Sequence, residues 1–75
     1  MEYRRTVDQL RIEIEKEENG RWIAEIPSIP GAFSYGATKI EATQKIEVLA
    51  LRILADRVES GEKVPALDGA FLVPA

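Results

Sequence analysis

Seventy-five residues, 45% hydrophobic and 31% charged, make one domain at most and are too apolar for a disordered chain. A net charge of −3, from 13 acidic and 10 basic residues, argues against the basic footprint of a nucleic-acid binder. The absence of His and Cys excludes imidazole acid–base catalysis, the serine and cysteine triads, thiol chemistry, disulfides and a zinc staple.

A chain this short buries roughly 60% of the surface its unfolded form exposes. With no covalent or metal staple, oligomerisation is the remaining common device for extra burial. No apolar run approaches the ~20 residues of a membrane span. The start, Met1-Glu2-Tyr3-Arg4-Arg5, lacks the apolar core of a signal peptide. The expectation is a cytoplasmic protein with no membrane and no direct nucleic-acid partner.

Residues 8–17 alternate. Leu10, Ile12, Ile14 and Lys16 fall on one side, and Arg11, Glu13, Glu15 and Glu17 on the other, the pattern of a half-buried strand. Residues 1–7 do not keep this phase and read as a frayed arm or a bulged extension. Asn19-Gly20 signals a hairpin. A two-residue loop would set Ile14 against Glu25. A three-residue loop, Glu18-Asn19-Gly20, sets Lys16 opposite Trp22, Ile14 opposite Ala24 and Ile12 opposite Ile26, so the apolar sets coincide. Gly20 then takes the left-handed position such loops require.

The opposite face collects Arg11, Glu13, Glu15, Glu17, Arg21, Ile23 and Glu25, with Glu13 opposite Glu25. Two readings stand. Either this face is solvated, as antiparallel sheets allow, or Glu13, Glu15, Ile23 and Glu25 form a docking face for a basic partner.

Pro27 and Pro30 end the second strand, since proline cannot donate to a ladder. Pro30-Gly31 is a turn, and residues 32–36 form a short third strand with Phe33 and Tyr35 on one face. Trp22 is expected in the core with Leu10, Ile12, Ile14 and Ile26; Phe33 and Tyr35 are expected there too, Tyr35 keeping its hydroxyl at the rim. The edge of this strand is a second place for a partner, by strand addition.

Thr38-Lys39-Ile40-Glu41 is a capping box: Thr38 accepts from the Glu41 amide and Glu41 reaches back to the Thr38 amide. The helix is predicted over 39–60, with Gly61 as its stop and Glu41/Lys45 and Arg52/Asp56 as solvent-side pairs. Its apolar arc is too wide for one face. Ala42, Ile46, Leu49, Ala50, Ile53 and Leu54 suffice to cover a small sheet. Ile40, Val48, Leu51, Ala55 and Val58 form a second stripe, which lies either under the segment after Gly61 or against another copy of the chain. After the turn-like Val64-Pro65 and Asp68-Gly69, Phe71-Leu72-Val73 is predicted as a short terminal strand ended by Pro74.

The hairpin, then G-R-W-I-A-E-I-P-S-I-P-G (20–31), F-S-Y-G (33–36) and the capped helix opened by T-K-I-E-A (38–42) together resemble the HicB antitoxin family over residues 8–75. The resemblance implies a partial RNase H-like α/β fold, β-β-β-α-β, with a mainly antiparallel sheet and one long helix on one face. It implies a binding role: HicB proteins neutralise a small basic mRNA-cleaving toxin, HicA, by covering its surface, and commonly carry a C-terminal DNA-binding segment. With 75 residues, the expectation is a chain that looks like the short free-standing members, without the C-terminal DNA-binding segment.

The expectation is therefore a single domain over 1–75, not an enzyme, with no catalytic residue, cofactor or metal. Its partners are itself, as homodimer or homotetramer, and a small basic toxin. Two alternatives remain: an orphan self-associating module, and a degenerate RNase H-like nuclease using Glu13, Glu15, Glu17 or Glu25 as metal ligands.

Overall fold

A computed structural model describes residues 10–74. The arm predicted over 1–7 lies outside them, as do Asp8 and Gln9 of the first predicted strand. Three strands, β1 (Glu13–Lys16), β2 (Trp22–Glu25) and β3 (Phe33–Gly36), form an antiparallel sheet in the order β1-β2-β3. One long helix, α1 (Lys39–Glu59), packs across one face, and a 3-10 turn, Pro65–Leu67, follows it.

The hairpin has the three-residue loop. Lys16 faces Trp22, Ile14 faces Ala24, Glu15 faces Ile23 and Glu13 faces Glu25. The Glu17 amide donates to the Arg21 carbonyl at 2.7 Å and the Gly20 amide to the Glu17 carbonyl at 2.9 Å. Gly20 sits at φ 88°, where a side chain would be strained. The ladder stops at Glu13, so the first strand is shorter than predicted and the Ile12–Ile26 pair is not part of it. The reason is Pro27. The β1-facing groups of β2 belong to Arg21, Ile23 and Glu25, and the next in phase, Pro27, has no N–H to give Arg11. Ile12 still packs, half-buried, against the core.

The proline corner is two linked turns. The Ile29 amide donates to the Ile26 carbonyl at 2.9 Å, the Ala32 amide to the Ile29 carbonyl at 3.0 Å, and the Ile26 amide to the Ala32 carbonyl at 3.2 Å. This folding drives Ile29 inward, to 2% exposure.

The core consists of Ala24, Ile26, Ile29, Ala32, Ala42, Ile46, Ala50 and Leu54, with Leu10, Ile14, Trp22, Leu49 and Ile53 packed half-buried around it. Four residues of the first helix stripe, Ala42, Ile46, Ala50 and Leu54, lie in it, and the other two, Leu49 and Ile53, pack against it. Four alanines let helix and sheet approach closely. The tightest point is Gly36: a Cβ there would lie 2.6 Å from the Ala42 amide nitrogen and 3.0 Å from Glu41 Cβ.

That approach decides which way β3 faces. Its inward positions are Ala32, Ser34 and Gly36, all small, and its aromatics turn outward. Phe33 and Tyr35 are 46% and 41% exposed, so the expectation that they join the core is corrected. Trp22 does turn inward, opposite Gly36.

Thr38 caps the helix: its Oγ1 accepts from the Glu41 amide at 3.0 Å. Glu41 reaches back one residue further than predicted, accepting from the Ala37 amide at 2.6 Å. That bond chiefly, with the nearby charge of Lys45, holds the Glu41 carboxyl below the usual carboxylate range. Because the folded group titrates below the unfolded one, its contribution is complete above the unfolded range and is lost as pH falls through the folded value. A carboxyl-detected NMR titration should place the Glu41 midpoint below that of glutamate in an unstructured peptide. An unshifted midpoint would mean the cap is not formed in solution.

Lys45 pairs with Glu41 at 3.6 Å, whereas Arg52–Asp56 is not among the ion pairs of the described residues. Ser60 ends the helix with its amide on Asp56, and the Gly61 amide bonds the Val58 carbonyl.

The predicted terminal strand is not formed. Phe71, Leu72 and Val73 are exposed and pair with no strand among the described residues. The 3-10 turn takes its place, seating Val64 and Leu67 against the core. The chain after Gly61 therefore packs at the end of the core near Ile29 and Leu54. It does not cover the second helix stripe, which corrects one of the two readings given for it.

Candidate protein-interaction surfaces

The face of the sheet away from α1 carries the first surface. Strand alternation and the two registers set Glu13 beside Glu25 and Phe33 in one row, and Glu15 beside Ile23 and Tyr35 in the next. Glu13 and Glu15 are exposed, and Ile23 and Glu25 are half-buried by their neighbours. The four residues predicted from sequence are therefore brought together. Phe33 and Tyr35 were missed as members, because their outward turn depends on how closely the helix meets Gly36. With them, the face has an apolar side, Ile23, Phe33 and Tyr35, towards the β3 edge, and an acidic side, Glu13, Glu15 and Glu25, towards the β1 edge.

Arg21 closes the other end. Its guanidinium carbon lies 4.0 Å from the centroid of the Tyr35 ring, a cation–π contact. Its Nε donates to Glu17 Oε1 at 2.9 Å. Glu17 is thereby occupied, while Arg11 stands 3.7 Å from Glu13. All these charges are solvated, so the pairs add little stability. Glu15→Lys should change stability by no more than about 0.5 kcal/mol, read by thermal melting. A large loss would show that this face is buried.

The acidic strand residues do not assemble a metal centre: among the described residues no three His, Cys, Asp or Glu side chains converge. Alternation spreads Glu13 and Glu15 along β1, with Glu25 across from Glu13.

The second surface is the outer side of α1. Ile40, Val48, Leu51, Ala55 and Val58 are all exposed, Leu51 at 64%. Val48, Leu51, Ala55 and Val58 recur at spacings of three and four, so they share one face. No described residue packs over them. A shallow cleft beside Val48 and Leu49 is edged by Glu41, Lys45 and Arg52. No helix among the described residues is long and apolar enough to cross a membrane.

No family model matches the chain, and no solved structure matches it at a significant level. A curated relative does: the chain is 33% identical over 52 residues to the UPF0150 protein Ta0767 of Thermoplasma acidophilum, an alignment that takes in 69% of this chain and 75% of that protein. At that identity and coverage, the chain belongs to the UPF0150 family.

Proposed function

We propose that the protein is a non-catalytic interaction module of the HicB type, which neutralises a small basic HicA-type mRNA-cleaving toxin by covering its surface. One observation carries the reading. The outer sheet face sets the carboxylates of Glu13, Glu15 and Glu25 beside the apolar group of Ile23, Phe33 and Tyr35, and no described element covers it. An apolar anchor with an acidic side fits a basic protein surface, steering its approach and then burying area. The UPF0150 membership and the α/β fold support the HicB-like assignment.

The experiment is co-expression with the product of an adjacent reading frame encoding a small basic protein. The two should leave a sizing column as one complex, with a light-scattering mass equal to a whole-number combination of chains. Separate elution at micromolar concentration would count against the toxin-binding role.

A second reading, a self-associating module, is favoured by the exposed helix stripe. A charge placed there removes apolar contact and adds a desolvation cost to any interface that uses it. Leu51→Glu should lower the average mass of such an assembly while leaving the circular dichroism spectrum unchanged. An unaltered mass would show that the stripe is not the contact.

A further inference from the structure

The two edges of the sheet are built differently. The β1 edge reads Glu13-Ile14-Glu15-Lys16, three charges in four residues, the usual protection against pairing with another chain. The β3 edge reads Phe33-Ser34-Tyr35-Gly36. It has no charge, no proline and no residue at positive φ, and no strand among the described residues pairs with its outer side.

The ladder phase identifies its free groups. The Ile26 amide bonds the Ala32 carbonyl, so Ala32, Ser34 and Gly36 spend their main-chain groups on β2. Those of Phe33 and Tyr35 point to the open edge.

We propose that this edge pairs with the same edge of a second copy, antiparallel about a two-fold axis at Ser34, joining two three-stranded sheets into one. The inference goes beyond the toxin-binding reading and does not depend on it. The occupant follows from the sequence of the edge. A neutral strand meets its own copy without like-charge repulsion, whereas the charged β1 edge would meet Glu13 and Glu15 of its copy.

Residues directly opposite must lie on the same face, so the two-fold axis passes through a residue. Centring it on Ser34 pairs the most of β3 and sets Phe33 against Tyr35 of the second copy. Ala32 then meets the second copy's Gly36, and Ser34 its own counterpart. Phe33 and Tyr35 exchange both main-chain hydrogen bonds, and their rings form cross-strand aromatic pairs on the outer face. The apolar sides of the two outer faces fuse into one, with the Glu13 and Glu15 sides at its far ends.

The chain has no cysteine, so one substitution reads the register. Ser34 would face its counterpart in a non-hydrogen-bonded pair, with Cα atoms about 4.5 Å apart, within the roughly 4.4–6.8 Å that a disulfide spans. On mild oxidation Ser34→Cys should become a covalent dimer on a non-reducing gel. Phe33→Cys, offset along the ladder from its own counterpart, should not. In the otherwise unaltered protein, Phe33→Lys on this exposed position should shift the light-scattering mass from two chains to one with an unchanged circular dichroism spectrum.

A wild-type protein that stays monomeric at high concentration would overturn the proposal. So would a dimer that survives Phe33→Lys, or one that Ser34→Cys fails to trap. Loss of the dimer by Leu51→Glu alone would place the contact on the helix instead.

Discussion

Gly36→Val should lower the melting temperature by roughly 10–20 °C. A Cβ at Gly36 meets the backbone nitrogen of Ala42 at 2.6 Å and the Ala42 Cα at 3.1 Å. Neither is a flexible side-chain end, so the first turn of the helix must lift from the sheet. Overpacking of this kind costs about 1–3 kcal/mol, sometimes more, and valine adds two further carbons. For a domain of this size each kcal/mol moves the midpoint by about 4–8 °C, while total stability is only about 0.05–0.15 kcal/mol per residue. Gly36→Ala should show most of the loss, because the first added carbon makes the closest contact. The backbone of Gly36 is not at positive φ, so the cost is steric. Thermal melts of the two variants check this. Equal stability of wild type and Gly36→Ala would mean that helix and strand are further apart than described.

Ile46→Ala is the second large effect, at about 2–5 kcal/mol. Ile46 and Ile26 are the largest fully buried side chains. Half of the buried core is alanine: Ala24, Ala32, Ala42 and Ala50. The packed volume between helix and sheet therefore rests on few large residues, and removing three carbons from Ile46 leaves a void that close-packed neighbours fill only in part. Ile46→Val should cost about 0.5–1.5 kcal/mol, and Leu51→Ala, on the exposed side of the same helix, no more than about 0.5 kcal/mol. Urea melts that rank the three in this order support the assigned core face. Comparable losses at Ile46 and Leu51 would place both residues in buried environments.

Much of this architecture was legible from residue order. The hairpin register followed from a single constraint, that Ile14 and Ala24 share a face, and Gly20 supplied the turn that allows it. The helix bounds followed from Thr38 and Gly61, and its core stripe from Ala42, Ile46, Ala50 and Leu54. What could not be read locally depended on contacts between elements. Four residues of β3 alternate equally well either way up, and only the approach of Ala42 to Gly36 sends Phe33 and Tyr35 outward. Ile29 lies between two prolines, and its burial comes from two successive turns with no period of their own. Phe71, Leu72 and Val73 have strand-forming side chains, but propensity without a pairing edge does not make a strand.

The same distinction holds for the interaction surfaces. Glu13, Glu15, Ile23 and Glu25 could be grouped from the hairpin alone, because β1 and β2 are adjacent in sequence. The aromatic half of that face required the β2–β3 register. Once Ile23 is known to face Tyr35, and Glu25 to face Phe33, the acidic face acquires its apolar side. The Arg21–Tyr35 stack belongs to the same register and is invisible without it.

The most direct test of the binding role is amide chemical-shift mapping. Isotope-labelled protein would be titrated with the small basic product of an adjacent reading frame. Binding on the outer sheet face predicts saturable shifts at Glu13, Glu15, Ile23, Glu25, Phe33 and Tyr35, with Ile40, Leu51 and Val58 unmoved. Shifts confined to the helix residues, or none at saturating concentration, would contradict it.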